Sequence, residues 1–441
     1  MRLTPLLAAV VLASMPCAGP ALAKGAAHAS AATPADARAL VAEVRRLIAE
    51  RYVLPERRPA LDAVLAEGLA AGRYDVSDPG QLAERINADL ERVGQDKHLN
   101  LRFDPAAAAM MTPGGEENGD SAAYERAVRL QNHGIRELRV LEGNVRLMTY
   151  DGFHAIGPDT IEAIGNAMRF LSGGDAVIID LRANGGGSPD AVQAIISHFL
   201  PADTPLVTFY MNGEPEPNAL ATLADLPAGR MIGKPLYVLT SGGTASAAEE
   251  FTGHVLGYGV GEVVGANTAG AGFRNDMVPI AGQFPFSISV GRAVLASTGK
   301  DWEGVGHAPT IPASVEGALD VAHAHALGRL AQSATADERA RLEALADGIA
   351  ARGEPRTPAL PLSAYAGAYG ERVVSIEGDR LSYRRAEGAP RRLIALGANR
   401  FTFIDDPAFV LTFQASGPSV EAFEIQRVGQ PVQGRYARGA P

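Results

Sequence analysis

The chain has 441 residues, 46% of them hydrophobic and 20% charged, so it can bury a core and is not disordered as a whole. Lys+Arg number 40 against 50 Asp+Glu, a net charge of -10, which excludes a general binder of phosphate backbones. A single Cys, Cys17, excludes disulfide frameworks and thiolate zinc sites.

Arg2, the apolar run Leu6 to Met15 and the small-x-small site Ala21-Leu22-Ala23 read as a secretory signal peptide over 1–23, cleaved after Ala23. That predicts a periplasmic or secreted protein. Residues 24–35 are Ala/Ser-rich and read as a flexible leader. No later stretch is apolar enough for membrane insertion.

Apolar residues at helical spacing follow in three runs: Leu40, Val41, Val44, Leu47 and Ile48; then Leu61, Val64, Leu65 and Leu69; then Leu82, Ile86, Leu90 and Val93. They predict an N-terminal helical domain over 36–105, ending in a short strand from Leu99 to Phe103. Residues 106–133, with Met110-Met111 and Pro113-Gly114-Gly115, read as a loop and linker. No inserted domain of roughly 80–100 residues fits there.

From residue 134 to 332 strands alternate with helices. Strands are predicted at Val145–Tyr150, Asp175–Leu181, Leu206–Met211, Pro235–Thr240 and Glu262–Ala266, and helices at Ile156–Leu171, Pro189–Leu200 and Ala245–Tyr258. This order is that of an α/β layer fold. The continuously apolar DAVIIDL run marks a strand covered on both faces. A helical linker spans 333–360, and short strands between Gly, Asn and Asp predict a small all-β domain over 361–441.

Two segments carry the chemistry. In TSGGTASAAEEF (240–251) an apolar strand runs through a glycine turn into a helix, which sets Ser246 at a helix N-terminus. Free N–H groups and the positive dipole end there can stabilise an oxyanion. A plain helix cap by Thr244 or Ser246 is the bland alternative. In DLRANGGG (180–187) three glycines allow the backbone close to a ligand, with N–H groups aimed into a pocket. Neither GxxxxGK[ST] nor GxGxxG is present, so no nucleotide cofactor is expected, and there is no HExxH metal helix.

These two segments, with VGANTAG (264–270) and WEGVG (302–306), resemble the C-terminal-processing (tail-specific) serine protease family. That family includes tricorn-type proteases and the repeats of the interphotoreceptor retinoid-binding protein. The resemblance covers about residues 36 to 330. It implies a crotonase/ClpP-like ββα core and a Ser nucleophile at Ser246. Many members pair that Ser with a Lys, but the matching position here is Ala271. The chain therefore looks like the tricorn/retinoid-binding branch without a PDZ domain, whose Ser-His-Glu residues match Ser246, His98 in Asp96-Lys97-His98, and Glu303. In this branch His98 takes the Ser246 proton and Glu303 orients the ring. The implied oxyanion donors are the N–H groups of Ala247 and of Gly186 or Gly187. His154 and His307 are the alternative bases, while His254 reads as packing. His307 and Thr310 stand where the family has Val and Asp.

The sequence thus predicts an exported serine peptidase acting on peptides or proteins, with no metal, cofactor or nucleic-acid partner. The rival is a binding module for an apolar ligand or peptide on the same fold, as in the retinoid-binding repeats. The cleavage specificity and the oligomeric state are not set by any motif.

Overall fold

The computed structural model describes residues 34–111, 122–226 and 228–439. The expected signal peptide and nearly all of the leader lie outside the described residues.

Three helices open the described chain: α1 (Pro34–Arg51), α2 (Arg58–Ala70) and α3 (Pro79–Gly94). Helix α3 starts where the Asp78 side chain accepts from the Gln81 N–H, and it stops at Gln95, which adopts a left-handed φ of 47°. A two-residue strand, β1 (Asn100–Leu101), follows. The Asn87 amide of α3 brackets it, donating to Leu101 O at 2.8 Å and accepting from Leu101 N at 2.7 Å.

Two helices stand where a linker was expected, α4 (Pro105–Met110) and α5 (Ala122–Leu130). The α4 run begins with Pro at its first turn and with Asp104 capping the Ala107 N–H at 2.9 Å. Those start signals, followed by four alanines, outweigh the loop-like composition further on. The rest of the predicted loop, 112–121, lies outside the described residues.

The centre is a six-stranded sheet built from β2 (Ile135–Leu141), β3 (Val145–Tyr150), β4 (Ala176–Asp180), β7 (Leu236–Thr240), β8 (Glu262–Gly265) and β11 (Ile311–Pro312). Its order is β11-β8-β7-β4-β3-β2, parallel throughout except for the antiparallel edge β2. One face carries α6 (Pro158–Ser172), α7 (Pro189–Ile196) and α8 (Ala247–Gly257), packed on Val177, Ile179 and Val238. The other face carries α9 (Ala318–Ala331) and α10 (Ala336–Ala350), packed on Ala176, Ile178, Tyr237 and Leu239. All five residues of β4 are buried, as its unbroken apolar run requires when both faces are covered.

A second sheet joins the ends of the core. It holds β5 (Pro205–Met211), β6 (Asn218–Ala221), β9 (Phe273–Ile280) and β10 (Phe284–Leu295), with β1 pairing to β10 at Asn100–Ser287 and Leu101–Phe286. Phe284, Phe286 and Ile288 form one apolar core with Leu40, Val44, Leu61, Ile86 and Leu90 of the helical region. The β9–β10 hairpin was not foreseen. Its first strand, FRNDMVPI, mixes polar and apolar residues without a two-residue alternation.

After the short helix α11 (Leu362–Tyr365), eight antiparallel strands β12 to β19 run from Gly367 to Ala437. Each pairs with its sequence neighbour. The terminal segment returns to the first strand: Gly439 N donates to Ala368 O at 2.9 Å, and Arg438 reaches Ala364 O at 3.0 Å. The result is a near-barrel filled by Tyr365, Tyr369, Phe401, Phe413 and Phe423. An α/β core, an N-terminal helical region and a C-terminal all-β region were all expected. The first strand and the last two strands of the meander were missed.

Candidate active site

Strand β7 ends at Thr240, and the chain turns through Ser241-Gly-Gly-Thr-Ala before α8. The Thr244 hydroxyl locks this turn by donating to Leu181 O at 2.8 Å and accepting from Ser241 N at 3.0 Å. Ser246 then sits at φ 54°, ψ -121°, a region that a residue with a Cβ adopts only under constraint. The same strand–turn–helix strain projects the nucleophile in α/β-hydrolase elbows. Ser246 and Glu249 form a capping box at the start of α8, with the Glu249 carboxylate accepting from Ser246 N at 3.0 Å.

Loop 182–187 faces this turn. Asn184 is fully buried and shapes it, donating to Tyr150 O at 2.8 Å and accepting from Gly186 N at 2.9 Å. Gly186 has φ 107°, and a Cβ there would lie 2.7 Å from Ser246 Cβ and 3.0 Å from Ala247 N. Only glycine lets the two segments approach so closely. Because Gly186 N is already engaged by Asn184, it cannot serve as the oxyanion donor that the sequence allowed. Among the described residues, the N–H groups of Gly187 and Ala247 have no partner; Ala247 follows Ser246 directly, and Gly187 follows Gly186, which abuts Ser246.

Glu249, one turn into α8, is fully buried and was not singled out from the sequence. Its carboxylate accepts from Ser246 N at 3.0 Å, Thr268 Oγ1 at 2.6 Å, Gly270 N at 2.7 Å and Ala271 N at 2.7 Å. It ties the Ser246 turn to the 268–272 loop. Ala271 is buried there, and its carbonyl accepts from Trp302 Nε1 at 3.1 Å. The signal available was the acidic first turn of α8, a carboxylate set among free helix N–H groups.

Beyond that loop, Glu303 Oε2 accepts from Gly272 N at 2.6 Å and Phe273 N at 2.9 Å. A Cβ on Gly272 would lie 2.6 Å from Glu303 N. Glu303 is thus a partly buried, held carboxyl rather than a solvated loop charge. Burial, with Asp96 and then Glu249 nearby, raises its pKa to about 7 against the pull of the two N–H groups.

His98 lies in the turn between α3 and β1, brought to the core by the pairing of β1 with β10. Its own N–H donates to Asp96 Oδ1 at 2.8 Å. One donor or acceptor atom each of Asp96, His98 and Glu303 lies within 4.8 Å of the others, the one such triple among the described residues. Burial lowers the His98 pKa, Asp96 opposes the shift, and Arg274 adds to it. The imidazole is therefore neutral at pH 7 and able to accept a proton.

The other histidines sit elsewhere. His307 packs on Trp302 with ring centres 5.9 Å apart, against Gly253 about two turns along α8 from Ser246, and burial lowers its pKa to about 4. His254 is fully buried, 3.5 Å from Glu250. His154 follows Phe153, which bridges to Gly187. Burial and then His133 lower the His154 pKa.

Residues 143–313 match the model of peptidase family S41, and residues 21–130 match that of the N-terminal domain of Peptidase_S41 in eukaryotic IRBP. The carboxy-terminal processing protease CtpB of Bacillus subtilis (strain 168) is 25% identical over 203 residues, 46% of this chain and 36% of that protein. The chain thus spans about a third of the length of the curated relative it matches. Among solved structures, the photosystem II D1 C-terminal processing protease is similar at 15% identity and a TM-score of 0.39, covering 64% of this chain and 93% of that one. A lipoprotein from Streptococcus agalactiae is similar at 15% identity and a TM-score of 0.43, covering 63% and 92%.

Proposed function

The chain belongs to peptidase family S41, and on that premise we propose that it is an exported serine peptidase that cuts peptide or protein substrates through Ser246, His98 and Glu303. The observation that carries this reading is the strained φ 54° of Ser246 at the N-terminus of α8, beside the N–H groups of Gly187 and Ala247, which have no partner among the described residues. Export rests on Arg2, the apolar run to Met15 and Ala21-Leu22-Ala23.

In the first step Ser246 Oγ bonds to the substrate carbonyl carbon while His98 Nε2 takes the hydroxyl proton. The carbonyl oxygen gains the negative charge and is held by the Gly187 and Ala247 N–H groups. Collapse breaks the peptide C–N bond, and His98 gives its proton to the leaving amine. Water then adds to the acyl-enzyme carbon with His98 again as base, the Ser246 Oγ–C bond breaks to release the acid, and His98 returns the proton to Ser246. The neutral imidazole supported by burial is the form this cycle needs. The site as drawn uses no metal and no nucleotide.

A fluorophosphonate probe followed by peptide mapping tests this. Wild type should be labelled at Ser246, and hydrolysis of a casein-type substrate should fall by at least about 10⁴-fold in both Ser246→Ala and His98→Ala. Hydrolysis by Ser246→Ala at the wild-type rate would remove Ser246 as nucleophile.

A further inference from the structure

We propose that Asp96 is a positioning residue of this site, and that Asp96 and Glu303 form a carboxyl pair holding one proton between them beside His98. The inference rests on the peptidase reading above and adds a group to it.

Each carboxyl has one oxygen committed and one left over. Asp96 Oδ1 accepts from His98 N, and Glu303 Oε2 accepts from Gly272 N and Phe273 N. The remaining oxygens, Asp96 Oδ2 and Glu303 Oε1, are buried and have no protein partner, and so is His98 Nδ1. Asp96 is 2% exposed. Buried acceptors without donors are costly, and two buried carboxylates this close do not both stay ionised. A single proton on the pair resolves both problems: it adds a donor where the acceptors lie within 4.8 Å of one another and removes one of the two charges. The pKa of Glu303 is raised by burial first and by the charge of Asp96 next, which points the same way.

Of the other groups around the pair, Tyr52, just past α1, is one that can donate: burial and then Asp96 raise its pKa, so its hydroxyl stays protonated beside Asp96, which leaves the bare Glu303 Oε1 as the acceptor that the shared proton serves. Arg57 faces Tyr52, Arg274 on β9 faces His98, and Glu249 on α8 adds further negative charge near Glu303. Glu249 is itself filled by four donors. The pair therefore carries one net negative charge toward His98. When His98 takes the Ser246 proton at Nε2, its Nδ1–H has an anionic acceptor in Asp96 while Glu303 keeps the shared proton.

This arrangement differs from a single orienting carboxylate in a way a double-mutant cycle reads. Asp96→Asn keeps an acceptor for the His98 N–H, and Glu303→Gln keeps the shape of the acid. Each alone leaves one ionised carboxylate, so kcat/KM should fall only about tenfold. The double variant leaves none and should lose about 10⁴-fold, the scale of a lost triad carboxylate. A loss of about 10⁴-fold in Glu303→Gln alone, with Asp96→Asn silent, would overturn the pair. A second readout needs no turnover: infrared difference spectra of the Ser246→Ala protein between about pH 5 and pH 9. They should show a carboxylic acid C=O band that deprotonates near neutrality and vanishes in either added variant. A band unmoved by Asp96→Asn overturns the pair and leaves the peptidase reading intact. Absent hydrolysis in wild type, with the band present, overturns the peptidase reading and keeps the pair. Should Asp96→Asn not fold, Glu303→Gln alone still decides through its rate and its band.

Discussion

Glu249 and Glu303 stand on either side of the 268–272 loop, and their carboxyls live under opposite rules. Glu249 meets four donors from two segments and has no unmet oxygen. Glu303 meets two donors on one oxygen and keeps the other bare in a buried place. A saturated carboxylate fixes geometry. One left half-satisfied next to an imidazole and a second acid is able to change its protonation state. On the proposed mechanism, the difference separates the part of the site that holds still from the part that handles protons.

The comparison breaks most visibly at Glu249. Glu249→Ala leaves four donors without their acceptor, three of them backbone N–H groups, one in the Ser246 turn and two in the 268–272 loop. At about 1–3 kcal/mol for each unmet buried group, the variant should lose about 4 kcal/mol or more, read as a large drop in Tm. A drop of only a degree or two would mean that water replaces the carboxylate and that the turn is held elsewhere.

Glu303→Gln should have a smaller effect on stability, and one that depends on pH. The folded-state pKa of Glu303, about 7, lies above its ordinary 4.5. Its contribution is therefore fully present below about pH 4.5 and is lost as pH rises through 7, on the order of 2–3 kcal/mol. The glutamine variant lacks that loss, so its Tm should decline less than wild type between about pH 5 and 8. Parallel Tm curves would show that Glu303 ionises freely in the fold.

At Ser246 the strain itself can be measured. Glycine is at ease at φ 54°, ψ -121°, so Ser246→Gly should raise stability by about 1 kcal/mol while removing the nucleophile. Denaturant midpoints of Ser246→Gly and Ser246→Ala separate strain from the lost hydroxyl. The smallest shift expected is in the pH profile. Activity should rise with pH through a midpoint below the ordinary 6.5 of histidine, because burial first and Arg274 next hold the His98 pKa down. Arg274→Met should move that midpoint upward, and an unmoved midpoint would place another base at Ser246.

Much of this organisation was readable from spacing. DAVIIDL announces a doubly covered strand, and the glycine run before Pro189 announces a loop pressed against something. Ser246 stands out because a strand, a turn and a helix meet there. Less readable were contacts that join distant segments. Nothing local in AAEEF tells that Glu249 holds Gly270 and Ala271 while Glu250 is buried beside His254. Asp96 appears in sequence only as the start of a short Asp-Lys-His element, since its nearness to Glu303 is created by the β1–β10 pairing. The β9–β10 hairpin escaped notice because its burial comes from the helical region packing on it, and not from an alternation of its own residues.

That pairing also orders events during synthesis. His98 is made early but is carried to the core only by β1, whose partner residues Phe286 and Ser287 emerge far later, and Glu303 later still. Chains fold largely as they appear, and contacts between distant segments form last. A chain interrupted before β10 can already hold the Ser246 turn and α8, yet its imidazole has no strand to dock on and no acid to meet. On the proposed triad, a half-made molecule is inert by construction, and its own unfolded segments, like those of its neighbours, are out of danger until the last strand of that sheet is in place.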